Sequence, residues 1–383
     1  MVDTKPATTR QQAEGVYDRL GVRTIINASG ATTAVGGSLM PEEVALAMIE
    51  ASKSFVSVTE LNAAVGRKIA EATGAEAGYV TAGSAAGMLL SVAACITGTD
   101  PVKINRLPDS HGMANEVIIH RVHRINYDIM FRAAGGKLVE IGIPRGTDVW
   151  ELENAITEKT ACIAYIDSPS TAWGALEFET VVEIARKHDV PVIVDAASTL
   201  PPLDHLRRWI RWGADLVIYS GGKGIRGPQD SGLLAGRADL IAAAAANGNP
   251  HRAVGRAAKV SKESMVGLAV ALDRFLGHDH DADFAEHRHQ AEVMQRALSG
   301  RDDVQMTLTA NAEAYPAPVL MLIPAEGAAW TPDKLRRALQ ESEPPIYCRL
   351  EQGRLELNTH CLMPGEAEQI AEVLTATLDR WKG

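Results

Sequence analysis

The sequence predicts an α/β protein, with a large domain built on a mostly parallel, seven-stranded-type sheet and a smaller α+β C-terminal domain. Three observations carry this. Short apolar runs at 78–81, 161–166, 191–195 and 216–219 alternate with helical stretches up to about residue 235. The 216–219 run is apolar throughout and 191–195 is apolar up to its closing Asp195, as strands buried on both faces are. Beyond Asp239 the pattern changes. A long or broken helix over 261–299 precedes strand-like segments at 304–308, 319–323, 346–350 and 354–357, with helices near 331–341 and 365–381. The expected division is therefore 1–260, with an N-terminal arm, and 261–383.

Composition narrows the function. A chain of 383 residues exceeds one ordinary core and suits about two domains. With 46% hydrophobic and 22% charged residues it has the make-up of a globular protein. The net charge is −10 and no basic block stands out, which argues against nucleic acid as partner. Cys95, Cys162, Cys348 and Cys361 form no CxxC, so neither a disulfide framework nor a metal site is expected, and a cytoplasmic location is. The polar start lacks a signal-type apolar segment, and no apolar run reaches the roughly 18 residues of a membrane span.

In order, a loose arm over 1–20 leads to a strand at 24–27 and a loop of small and hydroxylated residues, Ala28 to Thr33. A helix starts at Pro41, with Glu42 and Glu43 in its first turn. Another spans 60–73 and ends at Gly74. A strand at 78–81 enters the turn Gly83-Ser84-Ala85, which opens an apolar helix. Such a helix start offers free N–H groups to an anion, although small residues also serve close helix–sheet packing. Residues 102–107 read as a strand that delivers His111 to its C-terminal end. A helix carrying Val117, Ile118, Ile119 and Val122 would follow, with His120, His123 and Arg124 on its surface or in structural roles. Strands at 138–141 and 161–166 and helices at 149–156 and 179–187 continue the alternation.

Two chemically loaded strand ends complete the pattern. Asp195 closes the apolar strand PVIVD, where a carboxylate caps the next helix or pairs with a cation. Lys223 follows Ser220, Gly221 and Gly222 at the end of the 216–219 run. A lysine there is either an ordinary surface group or a desolvated amine suited to Schiff-base chemistry. Gly83–Ala85, His111, Asp195 and Lys223 all lie at expected strand ends of one sheet. Together they match what pyridoxal 5'-phosphate requires: a lysine for its aldehyde, a helix start for its phosphate, a carboxylate for its ring nitrogen and a flat side chain on its face. The histidines and aspartates over 278–289 are read as a solvated bend and not as a metal site.

With these residues in view, the chain resembles the fold type I (aspartate-aminotransferase-like) pyridoxal phosphate enzymes. Within them it is similar to the selenocysteine-synthase-like group that includes D-glucosaminate-6-phosphate ammonia-lyase. The matching stretches are INASGA, TGAEAGYVTAGSAAGM, VDAAS, SGGKGIRGPQDSGLL, GRAAKVSKESMVGL and PPIYCRLEQGRLEL. The resemblance implies that Lys223 is the Schiff-base lysine and Asp195 the ring-nitrogen partner. It implies that Ser84 and its neighbours, with Ser198 and Ser220 nearby, hold the cofactor. His111 would stack on the ring, Arg349 would hold a substrate carboxylate, and Asn27 would line the substrate side. Arg226, Arg256 and Lys259 are either phosphate contacts or surface groups.

Departures from that group matter too. Its tRNA-dependent members carry a further N-terminal domain, an aspartate where this chain has Gly222, and an Asp-Leu-Arg type run where it has Asn358-Thr359-His360. The resemblance thus implies a lyase that removes the α-proton of a small amino acid or amino sugar acid and releases ammonia, with no tRNA. A racemase, epimerase or aminotransferase on the same scaffold is the alternative. At least a homodimer is expected.

Overall fold

The computed structural model describes residues 15–167, 173–311 and 316–381. The strands in chain order are β1 (Ile26–Ala28), β2 (Ala77–Thr81), β3 (Glu116–His120), β4 (Lys137–Ile141), β5 (Thr160–Ile166), β6 (Val192–Asp195), β7 (Leu216–Ser220), β8 (Gly232–Gly236), β9 (Val304–Thr309), β10 (Val319–Pro324), β11 (Ile346–Glu351) and β12 (Arg354–Asn358). The helices are α1 (Val16–Arg19), α2 (Glu42–Ala51), α3 (Val58–Thr73), α4 (Gly83–Thr97), α5 (Pro101–Arg106), α6 (Ile129–Ala133) and α7 (Val149–Ala155), then α8 (Phe178–Lys187), α9 (His205–Trp212), α10 (Ala238–Asn247), α11 (Lys262–Gly277), α12 (His280–Ala297), α13 (Pro332–Gln340) and α14 (Glu366–Asp379).

A seven-stranded sheet runs in the order β2-β8-β7-β6-β5-β3-β4. Its pairs are parallel except that β8 runs antiparallel to both β2 and β7. The two-residue period of the strands feeds two cores, one on each face. Val217 and Tyr219 point into a core shared with α3, α8, α9 and α11. Leu216 and Ile218 point into the other, shared with α4 and α10. The α4 backbone rides close on β7: a Cβ at Gly87 would come within 2.8 Å of the Ile218 side chain.

The β3 region corrects the expectation for 102–124. Asp100 accepts the Val102 N–H at 2.8 Å and Pro101 takes the first turn, so residues 101–106 nucleate helix α5 and not a strand. The strand is the β-branched run Glu116–His120, buried between β4 and β5. His120 and His123 are therefore not on a helix surface; both are buried. Their ring nitrogens Nε2 and Nδ1 accept the Leu176 and Ile166 N–H groups at 3.3 Å each. Burial holds them neutral, with pKa values lowered to about 4 and about 3.

A second, five-stranded sheet runs β1-β11-β12-β10-β9. Its core, around Leu320, Leu322, Leu355 and Leu357, is covered by α12, α13 and α14. The early strand β1 pairs in parallel with β11 and so joins this second sheet, although the sequence places it in the first domain. The chain then crosses to the large sheet through residues 29–41, which brings Ser38 against Gly222 and Lys223 just past β7. The 261–299 stretch breaks at His278 into α11 and α12. Met265, Leu268, Leu272 and Phe275 of α11 pack in the large core, so we place the division at this break and not before α11. Among the described residues no helix is long and apolar enough to cross a membrane.

Neighbouring positions on α11 separate core packing from surface charge. Leu272 is fully buried, and Leu272→Ala should cost about 2–5 kcal/mol. Asp273 pairs with Lys68 at 2.8 Å on an exposed face, so Asp273→Ala should cost at most about 1 kcal/mol. Urea midpoints of the two variants check the contrast.

Candidate active site

The C-terminal edge of the parallel strands opens into a cavity of about 590 Å³. That lies within the roughly 300–1,000 Å³ of small-molecule sites. Lys223, Asp195, Ser198, Ser220, Gly83, Ser84, Ala85 and Arg349 all line it, so residues far apart in the chain converge here.

Two loops set the lysine. Gly222 turns so tightly that a Cβ would lie 2.3 Å from the Gln229 Cα, leaving no room for the aspartate of the tRNA-dependent enzymes without displacing that backbone. Ser38, in the loop that crosses from the second sheet, donates its hydroxyl to the Lys223 carbonyl at 2.8 Å and its N–H to the Gly222 carbonyl at 3.1 Å. Gly37 beside it has φ +74°, and a Cβ there would meet the Gly222 oxygen at 2.6 Å. The lysine turn is thus clamped by backbone contacts. The Lys223 Nζ donates to Ser198 Oγ at 2.7 Å. Burial pushes its pKa below the ordinary lysine range; the Asp195 charge opposes this and the Arg349 charge adds to it.

Asp195 ends a strand flanked by β5 and β7 and is buried. Burial raises its pKa, partly offset by the Ala197 N–H, which its Oδ1 accepts at 3.0 Å, and by Lys223. Among the described residues that is the sole hydrogen bond its carboxylate makes. A buried carboxylate left half-satisfied and facing a cavity fits a protonated ring nitrogen. At the start of α4, Gly83 has φ +73° and open space in front of it. Fifteen residues of helix stand behind that end, a ready seat for a phosphate. The residues present therefore fit pyridoxal phosphate: Lys223 for the aldehyde, Asp195 for the ring, and Gly83–Ala85 with Ser220 for the phosphate.

Two expected residues are placed elsewhere. His111 is exposed in the loop that enters β3, at the N-terminal edge of the strand, because Pro101–Arg106 is a helix. This chain does not bring it to the cavity. The Asn27 side chain is spent locally: it donates to the Gly30 carbonyl at 3.1 Å and accepts the Ser29 N–H and hydroxyl at 3.0 and 2.7 Å. It shapes the crossing loop, and Ala31 and Thr33 of that loop reach the cavity instead. Arg226 turns away toward Asp283, 3.8 Å off.

Others come into view only in the fold. The loop after β3 supplies Arg124, Asn126 and Tyr127. The β-branched run before it was the signal that a strand ends there. Asp167, just past β5, lines the cavity and is held by Arg208 and by the Trp209 indole N–H, at 3.1 Å each. Like Asp195, it is an acid at the end of an apolar run. Glu351 also lines the cavity, with its carboxylate 2.9 Å from Arg349. The two-residue strand period places it on the face of Arg349.

The family profile of L-seryl-tRNA selenium transferases matches residues 25–363. The chain belongs to that family. It is 34% identical over 359 residues to D-glucosaminate-6-phosphate ammonia lyase of Salmonella typhimurium, covering 92% of this chain and 94% of that protein. It is 33% identical over 376 residues to 5'-C-glycyluridine monooxygenase-decarboxylase of a Streptomyces species, covering 94% and 92%. The solved structure of D-glucosaminate-6-phosphate ammonia-lyase matches with a TM-score of 0.84 at 32% identity, over 97% of this chain and all of that one. The fold is aspartate-aminotransferase-like, and this selenium-transferase-family member is a pyridoxal-phosphate-dependent enzyme.

The charges around Lys223 predict its titration. Arg349→Met should raise the pH at which Lys223 of the cofactor-free protein becomes reactive, because a neighbouring cation is removed. Asp195→Asn should lower it, because a neighbouring anion is removed. Rates of reductive alkylation against pH, read by peptide mass at Lys223, check both directions.

Proposed function

We propose that the protein is an ammonia-lyase that eliminates a β-hydroxyl from a small amino acid or amino sugar acid. The observation that carries this is one cavity joining Lys223, Asp195 and Arg349 from three separate elements. The lyase relative of 34% identity supports the choice of reaction. Pyridoxal phosphate, when bound, supplies an electron sink for the pair released at Cα. Lys223 removes the α-proton, and its lowered pKa favours the neutral amine that this needs. Asp195 holds the proton on the ring nitrogen. The Gly83 helix start and Ser220 anchor the phosphate. Arg349 takes the substrate carboxylate, for which its guanidinium fork is suited. Tyr127, at the rim of the cavity, takes the ring-facing role that the sequence assigns to His111.

A second copy completes the enzyme in this reading. Leu46 and Ile49 of α2, with Leu39 and Phe55 beside it, stand exposed next to the crossing loop, an apolar face of the kind that marks an interface. A homodimer or larger assembly covers it. The four cysteines are unpaired, which suits the cytoplasm.

The near-equal identity to the Streptomyces protein raises one rival, in which the same residues serve an oxygen-dependent decarboxylation. Incubation with D- and L-β-hydroxy amino acids and amino sugar acids, phosphorylated and not, tests the reading. Release of ammonia with a keto acid is expected, and Lys223→Ala should abolish both that release and the near-visible absorbance of bound cofactor. Oxygen uptake with carbon dioxide release, inversion without ammonia, or dependence on an amino acceptor would overturn it.

A further inference from the structure

Elimination of a β-hydroxyl needs a proton for the departing oxygen, because hydroxide leaves poorly. Lys223 is committed to the α-proton. Among the other acids lining the cavity, Asp195 lies buried against its own loop, and Asp167 is fixed by Arg208 and Trp209. Glu351 differs from both. Its side chain is 43% exposed and meets Arg349 Nη2 at 2.9 Å.

The strand pair explains its state. In the β11–β12 register Arg349 faces Glu356 and Glu351 faces Arg354, so two cations and two anions share one face. Glu356 is 9% exposed, and burial raises its pKa while Arg349 lowers it. This face has no spare positive charge. Lys223, across the cavity, is in electrostatic reach of Arg349, and Arg124 of the same cavity is already paired with Asp128 and Glu140. A substrate carboxylate arriving at Arg349 therefore brings an additional anion to a guanidinium that already serves Glu351. Carboxylates sharing one site do not both stay ionised cheaply, and one takes up a proton.

We propose that Glu351 is the general acid for the leaving β-hydroxyl, and that the substrate carboxylate loads it with its proton by competing for Arg349. This rests on the elimination reading above. The atoms balance. Lys223 takes the α-proton, and the Cα electron pair forms the Cα=Cβ bond. The Cβ–O bond breaks with its pair to oxygen, which takes the Glu351 proton and leaves as water. Glu351 returns to the carboxylate that Arg349 holds. The unsaturated amine takes the proton held by Lys223 onto Cβ as it becomes an imine, which restores the neutral lysine. Water then hydrolyses the imine to a keto acid and ammonia, with no net oxidation.

The test compares leaving groups on the holoenzyme, since chloride departs without a proton. For Glu351→Gln, kcat on a β-hydroxy amino acid should fall by about 10²–10⁴-fold. The loss on β-chloroalanine should be a small fraction of that. Glu351→Asp should restore part of the hydroxyl activity, and the cofactor absorbance of both variants shows that the fold and site survive. Equal losses on the two substrates, or a change confined to KM, would reduce Glu351 to a positioning residue for Arg349 and overturn the acid role. Calorimetric titration with gluconate, in buffers of different ionisation enthalpy, reads the loading step apart from turnover. The wild type should take up a proton and Glu351→Gln should not; no uptake by the wild type overturns the loading. If the wild type releases ammonia from neither substrate, the elimination reading itself falls, and this proposal with it.

Discussion

The rest of the site depends on keeping Asp195 buried beside Lys223 without letting the two form a direct pair. A buried carboxylate is costly unless something compensates it. Here the compensation is partial: one backbone N–H from Ala197, and a lysine charge that acts at a distance while its Nζ is engaged by Ser198. A close ion pair would tie up both groups. Holding them apart leaves a carboxylate ready for a cationic ring and an amine whose pKa burial lowers. Backbone holds this arrangement, with β5 and β7 on either side of β6 and the Gly222 turn closed against Gln229.

The two sheets divide the labour. The large one supplies the groups proposed to meet the cofactor, all from the C-terminal edge of its strands, where open α/β sheets gather ligands. The second supplies Arg349 and Glu351 on one strand face. The crossing loop joins them physically. It leaves β1 in the second sheet and, through Ser38, binds the lysine turn of the first. A shift of one sheet against the other is therefore felt at Lys223 as well as at Arg349. About ten residues of chain separate the end of β1 from the Ser38 contact with the lysine turn.

How much could be read beforehand differed by residue, and for physical reasons. Lys223, Asp195 and the Gly83–Ala85 turn each follow a strongly apolar strand, so local pattern marked them as strand-end groups and the cavity contains them. His111 was misplaced because Val102 and Ile104 suit a strand, while the Asp100 cap and Pro101 decided for a helix. Asn27 looked like a site residue because small polar loops often are; its amide is used up in shaping the loop. Tyr127 and Asn126 could not be placed until the 116–120 run was known to be a strand.

By itself the sequence determined the alternation that builds the large sheet, the lysine and aspartate at its strand ends, and the family that pairs them with pyridoxal phosphate. These follow from local patterns, since apolar runs, caps and glycine turns act over a few residues. Only the tertiary structure decided that β1 belongs to the second sheet, that α11 packs in the first core, and that Glu351 stands beside Arg349 in the same cavity as Lys223. Those facts depend on which surfaces bury against one another. Strand registry and long-range packing are set by the whole chain at once, and no short window of sequence contains them.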